Sequence, residues 1–241
     1  MSDAVHVQMR VLRLEEIGND VFGVSLRPSN DSAPCYAAGQ YLKLRTPDGG
    51  LKPYSIASAP ESGRIELQIM APRRTGNSRP SVDFLASAKF VHCRMPFGRC
   101  RLPNDDRPIL MIAGGTGISQ MKAMIDSSIA RRESREIWLY WGGKARGALY
   151  LDDQLSEIAL QHPRIRYRPV LELRSAGSRF AGGYPHVVAL NEHEDIRRFD
   201  VYCSGPPPMA SAVCNSMFVN GIPMSSIHCD WLDIAGERRL A

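Results

Sequence analysis

The chain has 241 residues, a length that accommodates one large domain or two modest ones. Hydrophobic residues make up 44% of the sequence, which is ordinary for a globular protein with a real core. The formal net charge is +5, and the arginines behind it stand singly or in pairs, so the composition favours anionic small molecules and argues against a nucleic-acid partner.

Residues 1–103 contain short stretches in which apolar and polar side chains alternate, the pattern of half-buried strands. Turn residues such as Pro47-Asp48-Gly49-Gly50 separate these stretches. Several short strands at regular spacing predict an antiparallel β-barrel. The predicted elements are strands at Val5–Val11, Val21–Leu26, Tyr41–Leu44, Ile65–Ile69 and Val91–Met95, and one short helix at Ser81–Ala88.

One extended segment of this barrel, Lys52-Pro53-Tyr54-Ser55, carries a cation, an aromatic ring and a hydroxyl. Side chains at alternate positions share a face, so Lys52 and Tyr54 are expected on one side and Ser55 on the other. Tyr54 can lie against a flat ring while Lys52 holds a phosphate. The alternative is an ordinary strand with a surface lysine and a core tyrosine.

A second polar segment, Arg73-Arg74-Thr75-Gly76-Asn77-Ser78, stands just before the predicted short helix. Backbone N–H groups at a helix N-terminus, together with the Ser78 hydroxyl, can bind another phosphate. The alternative is a basic turn that faces solvent. The sequence leaves both interpretations open.

Residues 104–241 follow a polar linker, Asn104-Asp105-Asp106, and alternate strands with helices. This alternation predicts a parallel sheet with helices on both faces, in which ligands bind beyond the carboxyl ends of the strands. The predicted strands are Ile109–Ala113, Glu136–Trp141, Ile165–Leu171, Asp200–Cys203 and Ser226–Cys229, and the predicted helices are Gly117–Arg131, Leu151–Gln161, Pro185–Asn191 and Pro206–Asn220.

The stretch from Ile109 to Gln120 reads as a buried strand, a glycine turn (Gly114-Gly115-Thr116-Gly117) and the start of a helix. Such a turn leaves backbone N–H groups free at a helix N-terminus, where a pyrophosphate is stabilised. Glycines suit it because they adopt positive φ and let a ligand approach the backbone. The pattern is neither G-x-G-x-x-G nor a P-loop, so the alternative is a tight turn without a ligand.

Two further loops leave predicted strand ends with glycines. One is Gly142-Gly143, followed by the cations Lys144 and Arg146, and the other is Ser204-Gly205-Pro206-Pro207-Pro208-Met209. Prolines in the first turn of a helix lose only N–H groups that have no partner within the helix. Because parallel strands end at the same edge, the three glycine loops are expected to line one site.

The chain resembles the ferredoxin–NADP reductase superfamily and is most similar to its small NAD(P)H:flavin reductases. Four motifs, in this order, carry the resemblance: Lys52-Pro53-Tyr54-Ser55, Ala113-Gly114-Gly115-Thr116-Gly117, Tyr140-Trp141-Gly142-Gly143 and Ser204-Gly205-Pro206-Pro207-Pro208-Met209. The resemblance runs from the first strand to about Trp231. It implies a flavin-binding barrel at residues 1–103 followed by an NAD(P)-binding α/β domain at residues 104–241.

The resemblance also assigns roles to individual residues. Tyr54 would lie against the isoalloxazine and the Ser55 hydroxyl would bond near its N5, which makes Ser55 the expected catalytic residue. The flavin phosphate would lie by Gly76, Asn77 and Ser78. The NAD(P)H pyrophosphate would be held by Gly115, Thr116 and Gly117, and the nicotinamide would be bordered by Gly205, Pro206 and Met209.

Three features depart from the superfamily pattern. Lys52 stands where an arginine is usual, and lysine lacks the bidentate grip on phosphate. Ser204 replaces a frequent cysteine before the Gly-Pro-Pro run. The chain continues past Trp231 through the charged Gly236-Glu237-Arg238-Arg239, and Trp231 either covers the flavin or closes the core.

The expected reaction is hydride transfer from nicotinamide C4 of NADH or NADPH to N5 of a flavin, which is FMN, FAD or riboflavin. Ser55 would assist by bonding to N5 as charge moves onto the flavin. Arg174 and Ser175, with Lys144 and Arg146, could receive the 2′-phosphate of NADPH, while NADH remains equally open.

Three functions compete. The first is a flavin reductase that releases reduced flavin, for example to a flavin-dependent monooxygenase. The second is a reductase component with bound FAD that passes electrons to a separate oxygenase or electron-carrier protein. The third is a non-catalytic module on the same fold that senses nucleotides.

The six cysteines form neither a C-x-x-C pair nor the spacing of a plant-type iron–sulfur cluster, so reduced thiols and no metal site are expected. The N-terminus has no apolar leader, and no stretch is long enough to cross a bilayer. We therefore expect a cytoplasmic protein with no membrane partner.

Overall fold

The computed structural model describes residues 4–30, 35–72, 77–103, 105–173 and 178–231. Its internal contacts divide the chain into two units, one of residues 1–102 with 122–131 and one of residues 103–121 with 132–241. The domain boundary expected between residues 103 and 104 stays a prediction.

The first unit is built on a six-stranded antiparallel sheet in the order β4-β3-β6-β1-β2-β5. Its edges, β4 and β5, meet beyond the end of β4, where Ile56 and Leu67 form an isolated bridge and the Ala57 N–H donates to the Glu66 carbonyl at 2.7 Å. The predicted antiparallel architecture is confirmed as a barrel-like six-stranded sheet, without a continuous ladder between its two edge strands in the described segments. The strands are β1 Val5–Gly18, β2 Val21–Pro28, β3 Tyr41–Arg45, β4 Leu51–Ser55, β5 Ile65–Met70 and β6 Phe90–Phe97.

Alternating apolar residues of these strands face one core, which includes Met9, Leu42 and Leu67. Strand β1 runs seven residues past its predicted end at Val11, because two register shifts against β2 break the alternation on which the prediction relied. Helix α1, Arg79–Ser87, begins two residues earlier than predicted and has a proline in its first turn.

The second unit contains a six-stranded parallel sheet in the order β10-β9-β8-β7-β11-β12. Every residue of β7 is buried, as expected for a central strand covered on both faces. Helix α2 is shared, since its residues from 122 onward group with the first unit. The elements are β7 Ile109–Gly114, α2 Ile118–Ala130, β8 Ile137–Gly143, α3 Asp152–Gln161, β9 Ile165–Leu171, β10 Ala181–Gly182, α4 Pro185–Glu192, β11 Asp200–Ser204, α5 Pro207–Val219 and β12 Ile227–His228.

The strand order creates a switch point beside β7. The chain leaves β7 through β8, β9 and β10 on one side, then crosses to β11 and β12 on the other. In open parallel sheets, ligands bind beyond the carboxyl ends of the strands at such a point. The glycine turn after β7 and the Gly-Pro-Pro run after β11 therefore lie where a ligand is expected.

Two differences from the predicted elements concern very short strands. Strand β10 has two residues, too few to show any periodic pattern, and it was not predicted. The last strand shortens from Ser226–Cys229 to Ile227–His228. Among the helices of the described segments, none is long and apolar enough to cross a bilayer.

Candidate functional site

Strand β4 carries the first group of predicted site residues. Tyr54 and Lys52 pair across the sheet with two fully buried leucines of β3. Cross-strand partners share a face, so both side chains start on the core side, and Tyr54 packs against the barrel core. Ser55 lies on the other face with the exposed Pro53, and its hydroxyl hydrogen-bonds no residue within the described segments. The predicted alternation along this strand is therefore present.

Lys52 links β4 to the segment that precedes α1. Its ammonium group donates a hydrogen bond to the backbone carbonyl of Asn77. Asn77 and Ser78 stand directly before the helix, and the Ser78 side chain makes no capping hydrogen bond there. The structure thus brings Lys52 to Asn77, which belongs to the second segment predicted to bind a phosphate. Gly76 lies outside the described residues, as do Arg73, Arg74 and Thr75.

Several buried polar atoms in this part of the first unit lack a hydrogen-bond partner among the residues that the structure describes. They are the Tyr54 hydroxyl, one terminal nitrogen of Arg79 and the hydroxyl of the fully buried Ser81. Buried polar groups are satisfied in the great majority of native structures, so each such atom needs an explanation. A flavin nucleotide offers a polar ring system and a phosphate that can bond such groups. The residues present therefore fit a flavin.

The second unit brings together the glycine turn after β7 and the loop after β11. A Cβ on Gly114 would overlap the sulfur of Met209, and a Cβ on Gly205 would lie 3.0 Å from the same sulfur. A Cβ on Gly117 would collide with the Ser204 carbonyl and lie 2.7 Å from the Gly205 nitrogen. The two loops touch because none of these three positions carries a side chain.

Gly115 is the open position of the turn. Its φ is +53°, and a Cβ there would meet nothing within 4 Å. Gly115, Thr116 and Gly117 form a short 3-10 turn that leads directly into α2 at Ile118. Free space beside N–H groups at a helix N-terminus is the arrangement that accepts an anion.

A side chain of β8 donates a hydrogen bond to the Gly115 carbonyl. The indole nitrogen of the fully buried Trp141 donates to this carbonyl at 2.9 Å. No local pattern signals this bond, because the two residues are 26 positions apart. Trp141 was not among the predicted site residues.

Packing explains why positions 142 and 143, at the end of β8, are glycines. A Cβ on Gly142 would lie 2.8 Å from Cδ of Pro185, the first residue of α4, and one on Gly143 would lie 2.9 Å from Cβ of Ala148. Lys144 and Arg146 follow as exposed cations. The other predicted 2′-phosphate residues, Arg174 and Ser175, lie outside the described residues.

Trp231, after β12, is half-buried and packs against the core of the second unit. The preceding residue, Asp230, accepts a hydrogen bond of 2.7 Å from the amide of Gln120 in the first turn of α2. This arrangement matches the expectation that Trp231 closes the core. A role for Trp231 over a flavin stays a prediction.

Taken by themselves, the two groups of residues suit two ligands. The first unit offers a hydroxyl, an aromatic ring and a cation, and the second offers backbone N–H groups beside free space. Within the described residues, no group of three His, Cys, Asp or Glu side chains is arranged to hold a metal ion.

Comparison with known proteins agrees with this chemistry. The family model described as the oxidoreductase NAD-binding domain matches residues 111–215, which include the glycine turn and the loop after β11. A solved structure, the cytochrome P450 reductase GcoB of Amycolatopsis, matches with a TM-score of 0.84 and 27% identity over 94% of this chain and 69% of that chain. The fold and the site therefore define an oxidoreductase with an NAD-binding domain.

Two curated relatives indicate which kind of oxidoreductase this chain is similar to. The NAD(P)H-flavin reductase of Aliivibrio fischeri is 30% identical over 86% of this chain and 89% of its own length. The chain belongs to this reductase family, and the resemblance predicted from its motifs is confirmed. A CDP-6-deoxy-L-threo-D-glycero-4-hexulose-3-dehydrase reductase of Yersinia pestis is 31% identical over 90% of this chain, which spans 66% of that relative's length.

Proposed function

We propose that the protein is an NAD(P)H:flavin oxidoreductase that transfers a hydride from NADH or NADPH to FMN, FAD or riboflavin. The observation that carries the proposal is the glycine turn at the switch point, where Gly115 faces free space and Gly117 touches the backbone of the loop after β11. Similarity to the flavin reductase of Aliivibrio fischeri supports the same activity. The expected cytoplasmic location stays a prediction.

The nucleotide is held by backbone groups of the second unit. The N–H groups of Gly115, Thr116 and Gly117 stabilise the pyrophosphate, because they stand at a helix N-terminus with no side chain in the way. The loop with Gly205, Pro206 and Met209 borders the nicotinamide. The exposed Lys144 and Arg146 make the 2′-phosphate of NADPH acceptable without excluding NADH.

The flavin is held by residues of the first unit. Lys52, Asn77 and Ser78 receive its phosphate, with Gly76 expected beside them, and the Tyr54 ring lies against its ring system. When bound, the flavin accepts the hydride and supplies the redox chemistry. The Ser55 hydroxyl has no hydrogen-bond partner among the described residues, so it is available to donate to the flavin N5 as charge develops there.

A second candidate keeps the same chemistry but retains FAD and passes electrons to a separate oxygenase or carrier protein. The likeness to a cytochrome P450 reductase and to a dehydrase reductase favours it. In the first candidate, the reduced flavin itself leaves and serves a flavin-dependent monooxygenase. The nucleotide-sensing alternative gains no support from either relative.

Flavin content after gel filtration separates the candidates. Colourless protein that oxidises NAD(P)H only when FMN, FAD or riboflavin is added supports the flavin reductase. Yellow protein that reduces an added one-electron acceptor without added flavin supports the reductase component. Protein that binds NAD(P)H but shows no turnover with any flavin contradicts both and leaves the sensing module.

The role of Ser55 is tested by Ser55→Ala. A hydrogen bond donated to charge that develops during reaction is worth about 10²–10³ in rate at related oxyanion sites, so kcat for flavin reduction should fall by at least about tenfold. Ser25→Ala removes a half-buried hydroxyl from β2 of the same barrel and should leave kcat unchanged. An unchanged kcat for Ser55→Ala would show that this hydroxyl does not assist the reaction.

A further inference from the structure

Trp141 contacts the glycine turn from the buried side. It lies in β8 with no exposed surface, and its indole N–H donates to the Gly115 carbonyl at 2.9 Å. The same carbonyl also accepts from the backbone N–H of Ile118 at the start of α2, a donor that it shares with the Thr116 carbonyl. A carbonyl oxygen has two lone pairs, so it can accept both donors at once, and the indole bond directs it towards the buried side of the turn.

The direction of this carbonyl sets the direction of an N–H group. In a planar trans peptide, the C=O and the N–H point to opposite sides. The Gly115 carbonyl points at the buried indole, so the Thr116 N–H of the same peptide points away from it. Glycine adopts positive and negative φ with similar ease, so the backbone of Gly115, at φ +53°, does not fix this orientation by itself.

Tyr150 keeps the indole in place. Its ring packs edge-on against Trp141, with 5.3 Å between the centroids and an angle of 90° between the planes. Its hydroxyl is hydrogen-bonded to Ser119, in the first turn of α2. Trp141 is thus hydrogen-bonded to a carbonyl of the turn, and Tyr150 is hydrogen-bonded to the helix that follows the turn.

We infer that Trp141 is a positioning residue of the nucleotide site, whose indole N–H fixes the Gly115–Thr116 peptide so that the Thr116 N–H is presented to the pyrophosphate of NAD(P)H. The inference rests on the proposed function and extends it to a fully buried residue behind the turn. It follows that loss of the indole N–H weakens binding of pyrophosphate-containing ligands and spares the flavin.

The variant Trp141→Phe removes the N–H and keeps an aromatic ring against Tyr150. One neutral hydrogen bond corresponds to a change of about three- to tenfold, so KM for NADPH and the inhibition constant of ADP-ribose should both rise by about that factor. The melting temperature should fall, because the change shrinks a fully buried side chain, whereas KM for FMN and kcat at saturating NADPH should stay near their wild-type values. A general packing defect would move all of these quantities together and would contradict the inference.

Trp138→Phe is the matched control. Trp138 lies on the same strand, three residues away, and its indole nitrogen has no hydrogen-bond partner among the described residues. The Arg166 guanidinium covers its ring at 4.8 Å. This substitution should leave KM for NADPH and the ADP-ribose inhibition constant unchanged. An equal rise in both variants would mean that loss of any indole from β8 has this effect, which overturns the specific role of Trp141.

A measurement on the wild-type protein covers the case in which the variant does not fold. The chain has three tryptophans, so labelling the indole nitrogens with ¹⁵N yields three resolvable N–H signals. Addition of ADP-ribose should shift the Trp141 signal, while the Trp138 signal stays in place. A Trp141 signal that is unchanged at saturating ADP-ribose would overturn the inference.

Different results would overturn the proposed function and the role of Trp141. If the wild-type protein neither binds ADP-ribose nor oxidises NADPH, the proposed function fails and the inference fails with it. If the wild-type protein does both and Trp141→Phe has the wild-type KM for NADPH, only the inference fails.

Discussion

Gly117→Ala tests whether the two glycine loops of the second unit touch as the structure describes. The φ of Gly117 is not in the left-handed region, so an alanine is acceptable to the backbone itself. The obstacle is the space, because the new methyl group would meet the carbonyl of Ser204 and the nitrogen of Gly205. Both obstacles are backbone atoms, which cannot rotate aside as a flexible side chain can.

The size of the effect follows from these distances. Ordinary contact of a Cβ begins at 3.4 Å and the Gly205 nitrogen lies at 2.7 Å, so this loop must retreat by at least 0.7 Å. Overpacking of this kind costs about 1–3 kcal/mol of unfolding free energy. A displacement near 1 Å in a binding site can cost about 10²-fold in rate, so kcat/KM for NADPH should fall by about that factor.

Denaturant unfolding and steady-state kinetics with FMN as acceptor measure both effects. Gly63→Ala is the control, since Gly63 has φ +70° in a turn of the first unit and a Cβ there meets nothing within 4 Å. It should lower the unfolding free energy by about 1–2 kcal/mol through backbone strain and leave KM for NADPH unchanged. Wild-type stability and kinetics for Gly117→Ala would refute the close contact between the loops.

Two further predictions concern Tyr54 and three histidines. Tyr54→Phe removes a buried hydroxyl that has no partner among the described residues. The unfolding free energy should therefore stay within about 1 kcal/mol of wild type or rise, while KM for FMN increases. A loss of stability well beyond that would show that the hydroxyl is satisfied without a flavin. Burial lowers the pKa of His186, His193 and His228 below the ordinary 6.5, with Arg198 adding to the effect at His193. The unfolded chain then binds more protons than the folded one below about pH 6.5, so the melting temperature should be steady above that pH and fall as the pH drops through the folded-state pKa values. A melting temperature that stays level across this range, or a slope that His193→Gln does not reduce, would contradict this prediction.

The order of strands and helices was predictable because the signals that specify it are local. Alternation in β5 and the apolar run of β7 each reveal a strand within a few residues. The glycine turn was predictable for the same reason, because consecutive glycines between a strand and a helix indicate a tight turn at the helix N-terminus. Where the local signal is broken, as by the register shifts in β1, the prediction stopped at Val11 while the strand continues to Gly18.

The contacts that give the sites their form were not predictable, because they join residues far apart in the chain. The bond from Trp141 to Gly115 and the pair of Gln120 with Asp230 are examples. The N–H group of a buried indole needs a hydrogen-bond acceptor, but no local sequence signal identifies which carbonyl accepts from it. A tryptophan directly before two glycines at a strand end was the available signal, and it is informative only once the strand order is known.

Lys52 combines a local sequence signal with a contact to a residue 25 positions away. The sequence identifies it as a departure from the arginine usual at this position, and the structure shows what its ammonium group contacts. Lysine has three donors, and one is already directed at the Asn77 carbonyl, whereas an arginine has five in a rigid fork that can grip a phosphate at two points. Lys52 therefore hydrogen-bonds the backbone of Asn77 in front of α1, and we expect it to offer the phosphate a compact charge and no bidentate grip. Contact with the phosphate through a single charge favours a flavin that exchanges over a flavin that is retained. Flavin content after gel filtration distinguishes these two outcomes.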